Sequence, residues 1–209
     1  MSNKFYSPFL IVFASLLFNA CGENSQLNEA LPTGEWAGYE FLAIGGTDIQ
    51  RVGKKNEFGQ ATEEGFVLNG SKTGVWLTFH PEGRIKTIDN YINGSIEGAS
   101  IELDKRGQMI HKAFYYEGEL HGLETTYKFG RAQESIPYNH GVIDGTVVRY
   151  YNNGKIMEQI DFKGGLQHGY YHHYNTNEKL DMKYEYENGE KISGGMVDPN
   201  RFDSLNVTK

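Results

Sequence analysis

Between its glycines the chain alternates apolar and polar residues with period two. After Gly74, Leu77 and Phe79 flank Thr78; after Gly98, Ile101 and Leu103 flank Glu102; after Gly122, Thr125 and Tyr127 flank Thr126. The same slots hold Val148 and Tyr150 around Arg149, and His172 and Tyr174 around His173. Such alternation marks a half-buried strand, because successive side chains point to opposite faces. A second alternating stretch follows each first one: Ile85, Met109, Ala132, Ile156 and Leu180 open an apolar face that an aromatic slot (Tyr91, Tyr115, Tyr138, Phe162, Tyr186) closes. Turn sequences such as HPEG, DKRG and YNNG join the two stretches, so each pair reads as a β-hairpin.

Glycine sets the period. GxxxG pairs begin at Gly70, Gly94, Gly118, Gly141 and Gly165, with Gly189 next in register, in steps of 24, 24, 23, 24 and 24 residues. A third glycine sits mid-unit at Gly83, Gly107, Gly130 and Gly154; Glu178 stands there in the fifth unit, which predicts a different last turn. The residue missing from the third unit falls between Gly122 and Gly130. Self-similarity at this period means a repeat array. The expected fold is all-β: an elongated single antiparallel meander sheet of tandem hairpins of about 24 residues, five of them over residues 70–189. Residues 34–69 read as a degenerate N-terminal repeat or cap, with an inserted loop around QRVGKKNEFGQATE. Residues 190–209 lack an apolar pattern and read as a loose tail.

The 26 glycines, 14 tyrosines and 12 phenylalanines fit a strand protein rich in tight turns. The N-terminus is different in kind. Lys4 precedes an apolar stretch, FYSPFLIVFASLLF (residues 5–18), too short to span a membrane and patterned as a signal peptide over residues 1–20. Cys21 is the only cysteine, so the chain can form no disulfide within itself. The stretch LLFNAC resembles the lipobox of bacterial lipoproteins, with Phe18 and Asn19 departing from its commonest residues, and implies lipid attachment at Cys21. Residues 21–33 then form a polar, flexible linker between anchor and fold. Acylation of that kind tethers a protein to a membrane without spanning it.

Removing residues 1–20 removes one lysine and no acid, leaving 19 cations against 27 carboxylates, or −8. No run of Lys and Arg along the chain offsets this. Binding to nucleic acid is therefore disfavoured, as is purely electrostatic attachment to anionic lipid.

The stretches YYEGELHGLETTY, DFKGGLQHGYYHHY and NYINGSIEGASIEL resemble MORN repeats, in the bacterial variant found in proteins often labelled YwqK-type antitoxins. The resemblance covers residues 65 to about 190 and implies a hairpin array serving as a binding or scaffolding surface, with no catalytic set among the repeated positions. An exported chain could not neutralise a cytoplasmic toxin, so the antitoxin label translates, if at all, into an immunity-like partner of an exported toxin.

GLQHGYYHHY (residues 165–174) holds three histidines and invites a metal-site reading. The repeat register places His168 in a polar turn slot, His172 on the inward side facing Met182, and His173 on the opposite face. Three ligands spread in this way do not converge on one ion, and neither a metal nor a cofactor is expected. Trp76, Arg149, Tyr171 and His173 all fall in outward slots. The aromatic ones either pack against neighbouring side chains and the capping segment, or join Arg149 in a contact surface for an envelope protein or a glycan. No nucleophile motif, P-loop or HExxH occurs, and NGS at Asn69 and Asn93 is the turn chemistry of the repeat. The expectation is a non-catalytic, lipid-anchored protein of the bacterial cell envelope, at the outer membrane, that binds a protein partner or, alternatively, a glycan.

Overall fold

The computed structural model describes residues 34–198. The expected signal segment, Cys21, the linker and the last residues of the tail lie outside the described residues.

A 3₁₀ turn at Gly34–Trp36 precedes β1 (Tyr39–Ala43), β2 (Ile49–Lys55) and β3 (Ala61–Leu68). The repeats supply β4 (Ser71–Phe79), β5 (Ile85–Ile92), β6 (Ser95–Ile96), β7 (Gly98–Leu103), β8 (Met109–Tyr116), β9 (Glu119–Leu120), β10 (Gly122–Lys128) and β11 (Arg131–Asn139). They continue through β12 (Val142–Ile143), β13 (Gly145–Tyr150), β14 (Ile156–Lys163), β15 (Leu166–Tyr174) and β16 (Leu180–Glu187), and β17 (Glu190–Met196) follows. All pairings are antiparallel and join chain neighbours in one open meander. The short strands β6, β9 and β12 extend β7, β10 and β13 along the same partners.

The turns between units explain the glycine register. Asn69, Asn93, Glu117, His140 and Asn188 have φ between 48° and 51°, and the glycine after each is also left-handed. Two left-handed residues in succession make a type I′ turn, whose twist suits a tight hairpin. From Gly94 on, the turns also bond to the unit before them: Gly94 N–H donates to Lys72 O at 2.8 Å, Gly141 N–H to Leu120 O at 2.8 Å and Gly189 N–H to Gln167 O at 2.8 Å. The slot before the second glycine strengthens this stitching, since Glu97 accepts from Glu117 N–H (2.7 Å), Asp144 from Gly164 N–H (3.3 Å) and His168 from Asn188 N–H (3.4 Å).

Several expectations need correction. The stretch around QRVGKKNEFGQATE is no inserted loop: it forms β2 and β3, a full hairpin whose Asn56–Gln60 turn repeats the hydrogen bonds of His80–Arg84. Gly46 and Gly59 precede Gly70 and Gly83 by 24 residues each, so this is a sixth unit in register, disguised by Gln50 in place of the second glycine and Val67 in place of tyrosine. Residues 190–196 are not tail but β17, paired to β16. Glu178 makes the same turn as the mid-unit glycines, with its N–H on Asn175 O at 2.8 Å and φ at 63°. In the third unit the missing residue shortens the hairpin loop to Phe129-Gly130 between the paired residues Lys128 and Arg131.

A bulge overturns the expected single apolar face. In each hairpin one residue of the second strand is left over: Thr78 pairs with Thr87 but Phe79 with Ile85, skipping Lys86. The same skip passes over Ile110, Gln133, Met157 and Asp181. An extra residue reverses the alternation. Ile85, Met109, Ala132, Ile156 and Leu180 therefore share a face with Leu77, Ile101 and Val148, here named the aliphatic face. Tyr91, Tyr115, Tyr138, Phe162 and Tyr186 stand on the other, the tyrosine face, opposite Gly74, Gly98, Gly122, Gly145 and Gly169.

The sheet covers parts of its own tyrosine face. Ala113 (0% exposed), Val147 (4%) and Ile160 (6%) are buried there among longer neighbours. At the N-terminal end Val52, Val67 and Trp76 form a core closed by Trp36, Tyr39, Phe41 and Tyr91.

Candidate functional site

All four candidate contact residues fall on the tyrosine face, and none is a free outward group. Trp76 is 2% exposed: of its two readings the packed one, against neighbouring side chains and the capping segment, holds, and the contact-surface one does not. Its ring lies 5.9 Å from that of Trp36 and 6.2 Å from that of Tyr91, and its Nε1–H donates to Phe66 O at 3.0 Å. The capping segment covers the slot that parity alone leaves outward.

The other three meet around Glu158. Arg149 reaches Glu158 at 2.9 Å and Glu134 at 2.7 Å, binding neighbouring hairpins together. Tyr171 donates to the other oxygen of Glu158 at 2.9 Å. Burial, and then that hydrogen bond, push the Tyr171 phenol up to about 12. His173 stands opposite Glu158 on one side and Met182 on the other, with Nδ1 2.5 Å from Asp181. His172 consequently pairs with Lys183, not Met182, and points to the aliphatic face. The three histidines of GLQHGYYHHY thus go to a turn cap, the aliphatic face and the tyrosine face.

Elsewhere on the tyrosine face, carboxylates are also taken up within the fold. Tyr39 donates to Glu63 at 2.6 Å, Ser100 to Asp89 at 2.6 Å, and His111 lies 2.7 Å from Glu124. Burial first, and the adjacent carboxylates second, raise the phenols of Tyr39, Tyr91, Tyr115 and Tyr138. A face arranged in this way holds the array together; its acids and bases are one another's partners.

The aliphatic face is different. Leu77, Ile88 and Ile101 form a row across β4, β5 and β7, and on the same face Val75 (47%), Phe114 (36%), Leu123 (46%) and, farther along the sheet, Tyr170 (40%) are exposed. Three recesses open here. One of about 220 Å³ is lined by Arg51, Glu64, Phe66, Val75 and Leu77; one of about 230 Å³ by Ile156, Gln159, Tyr174 and Glu178. The third, of about 400 Å³, lies between Tyr170, Lys183 and Glu185 and the bare backbone of Gly194 and Gly195 on β17. On its rim Tyr170 stacks on His172 at 5.6 Å and 17°, with Lys183 Nζ 4.1 Å from the Tyr170 ring centre. Burial, helped by Lys183, holds the His172 imidazole below its ordinary range.

Sequence reasoning missed these residues, although their signal was present. Val75, Leu123 and Tyr170 stand directly after the second glycine and share parity with the slots of Leu77, Thr125 and His172. The apolar strip therefore extends one slot nearer the inter-unit turns than Leu77, Ile101 and Val148 mark.

No protein-family model matches the chain, and no curated protein matches it.

Proposed function

We propose that this protein is a lipid-anchored component of the bacterial cell envelope whose MORN-like hairpin array acts as a non-catalytic protein-binding or scaffold module through its aliphatic face. One observation carries the reading: an uncovered sheet face with exposed Val75, Phe114, Leu123 and Tyr170 and three recesses beside a face whose polar groups are internally paired. Phe114 and Leu123 adjoin on neighbouring strands of this face, and adjoining exposed apolar groups on a folded domain mark a contact region in which aromatic anchors concentrate the binding energy. The anchor is the lipid proposed at Cys21, which holds the array at the membrane and leaves the face free for a neighbouring envelope protein.

The test is capture from intact envelopes with full-length protein, comparing wild type, Phe114→Asp/Leu123→Asp and Arg149→Gln. The reading expects one co-purifying protein to survive the tyrosine-face change and to be lost with the aliphatic-face pair. Retention by the Phe114/Leu123 variant, shown folded by circular dichroism, rejects the face. Cys21→Ser should move the protein to the soluble fraction; if it stays with membranes, the lipid anchor is wrong.

A further inference from the structure

The repeat sends its two kinds of turn to opposite ends of the strands, and these ends carry opposite charge. The mid-unit turns, residues 80–84, 104–108, 128–131, 151–155 and 175–179, hold seven Lys and Arg against three Asp and Glu, a net of +4. The inter-unit turns, residues 69–73, 93–97, 117–121, 140–144, 164–168 and 188–192, hold five carboxylates against two lysines, a net of −3. Along the sequence these cations lie far apart, so the chain shows no basic run. Folding lines them up.

Contacts between successive turns establish the line. Arg84 donates to Lys105 O at 3.2 Å, the Arg106 guanidinium lies 5.9 Å from the Phe129 ring centre, Arg131 donates to Asn152 O at 2.9 Å, and Lys155 donates to Thr176 O at 3.3 Å. The three carboxylates of this edge are already paired, Glu82 with Lys105, Asp104 with Arg106 and Glu178 with Lys155. Among the described residues, Arg84, Lys128, Arg131 and Lys179 have no carboxylate in ion-pair contact. The Asn56–Gln60 turn extends the row by one carboxylate, Glu57, and an exposed aromatic, Phe58.

A second observation points outward from the same edge. Phe129 is 71% exposed and holds φ at 52°, and Phe58 is 79% exposed at its own turn tip. The left-handed backbone of Phe129 belongs to its two-residue turn with Gly130, but the turn does not need a ring there, and both phenylalanines leave large apolar groups in solvent at the tips of this edge.

We propose that the mid-unit turn edge is a docking line for a linear, carboxylate-bearing polysaccharide, a site separate from the aliphatic face. A sheet one layer thick presents its edge as a ridge about 10 Å across, and the turns recur every two strands, or about 10 Å. That geometry suits a chain laid along the ridge better than a plane, which would use only one line of its charge. Guanidinium forks match carboxylates, and Phe58 and Phe129 offer ring faces to sugar rings. The acidic edge repels the same polymer and fixes which end of the strands it meets.

Full-length protein in neutral detergent is tested on immobilised polygalacturonate, with neutral dextran as the blank. Four engaged charges give a steep salt dependence, and raising NaCl from about 50 to 150 mM should weaken binding about twentyfold by the counterion slope of flexible polyanions. Lys128→Gln/Lys179→Gln should roughly halve that slope in log–log form. Glu117→Gln/Glu119→Gln, on the opposite edge, should leave it unchanged. No binding at the lower salt, an unchanged slope in the folded lysine variant, or preference for phosphatidylglycerol vesicles or an oligonucleotide over polygalacturonate overturns the proposal.

Discussion

Gly65→Ala tests whether the N-terminal cap is a packed core that seals the array. Gly65 is buried opposite Val52, and a Cβ built there would lie 2.3 Å from Trp76 Cδ2. Carbon atoms rest at about 3.5–4.0 Å, so the indole must retreat by more than an ångström. It has little room: Trp36 and Tyr91 flank it, Lys72 Nζ lies 4.2 Å over it, and its Nε1–H is committed to Phe66 O. Overpacking costs about 1–3 kcal/mol and the strained hydrogen bond about 1 kcal/mol more, so the variant should lose roughly 2–4 kcal/mol. Both tryptophans of the chain, Trp36 and Trp76, sit in this cap, which makes fluorescence a local probe, whereas circular dichroism reports every strand. A repeat array can loosen at one end while the rest stands. With a urea slope of about 2 kcal/mol/M, the fluorescence midpoint should fall by about 1 M or more, ahead of the dichroism midpoint. A fluorescence midpoint unchanged from wild type would show that the cap yields freely and refute the packing argument.

Two further predictions concern the array itself. Glu178→Gly should stabilise it by about 0.5 kcal/mol: the left-handed backbone costs a side-chain residue about 1–2 kcal/mol, glycine's freedom when unfolded returns about 0.5–1, and the exposed pair with Lys155 is worth a few tenths. A lower urea midpoint in the glycine variant would mean that the turn is shaped by the glutamate side chain. Because Tyr171 titrates near 12 when folded and near 10 when unfolded, the folded state favours the neutral phenol; its contribution is complete below about pH 10 and is lost as pH rises toward 12. Urea midpoints across that window should fall less steeply in Tyr171→Phe than in wild type, and parallel slopes would remove Tyr171 from the alkaline transition.

The glycine spacing made the meander legible before any coordinates, because a type I′ turn requires left-handed residues and leaves its mark at a fixed period. What the spacing concealed was the bulge. Ile85 and Tyr91 are six residues apart, an even number, and simple alternation places them together; one skipped residue, Lys86, parts them. Trp76 shows a second limit of alternation. Its slot is outward by parity in all five units, yet in the first unit a 3₁₀ turn carrying Trp36 lies over it. Short-range pattern reports which side of a strand a residue occupies; it does not report what arrives from elsewhere to cover that side.

A repeat also changes what counts as a cluster. Arg84, Arg131 and Lys155 are separated by dozens of residues and look like scattered surface charge, and the same period that scatters them in sequence places their turns side by side. Each slot of the unit becomes a row: turn caps such as Glu97, Asp144 and His168 along one edge, cations along the other, phenols on one face and aliphatic groups on the opposite face. Individual exposed charges are worth little, so single substitutions along a row should have small effects while replacement of a row acts on all its members together. Binding experiments on this protein therefore discriminate by row. Changing two members of one edge and two of the other compares oppositely charged surfaces at opposite ends of the same strands, and a difference between them locates the contact without depending on the contribution of any single residue.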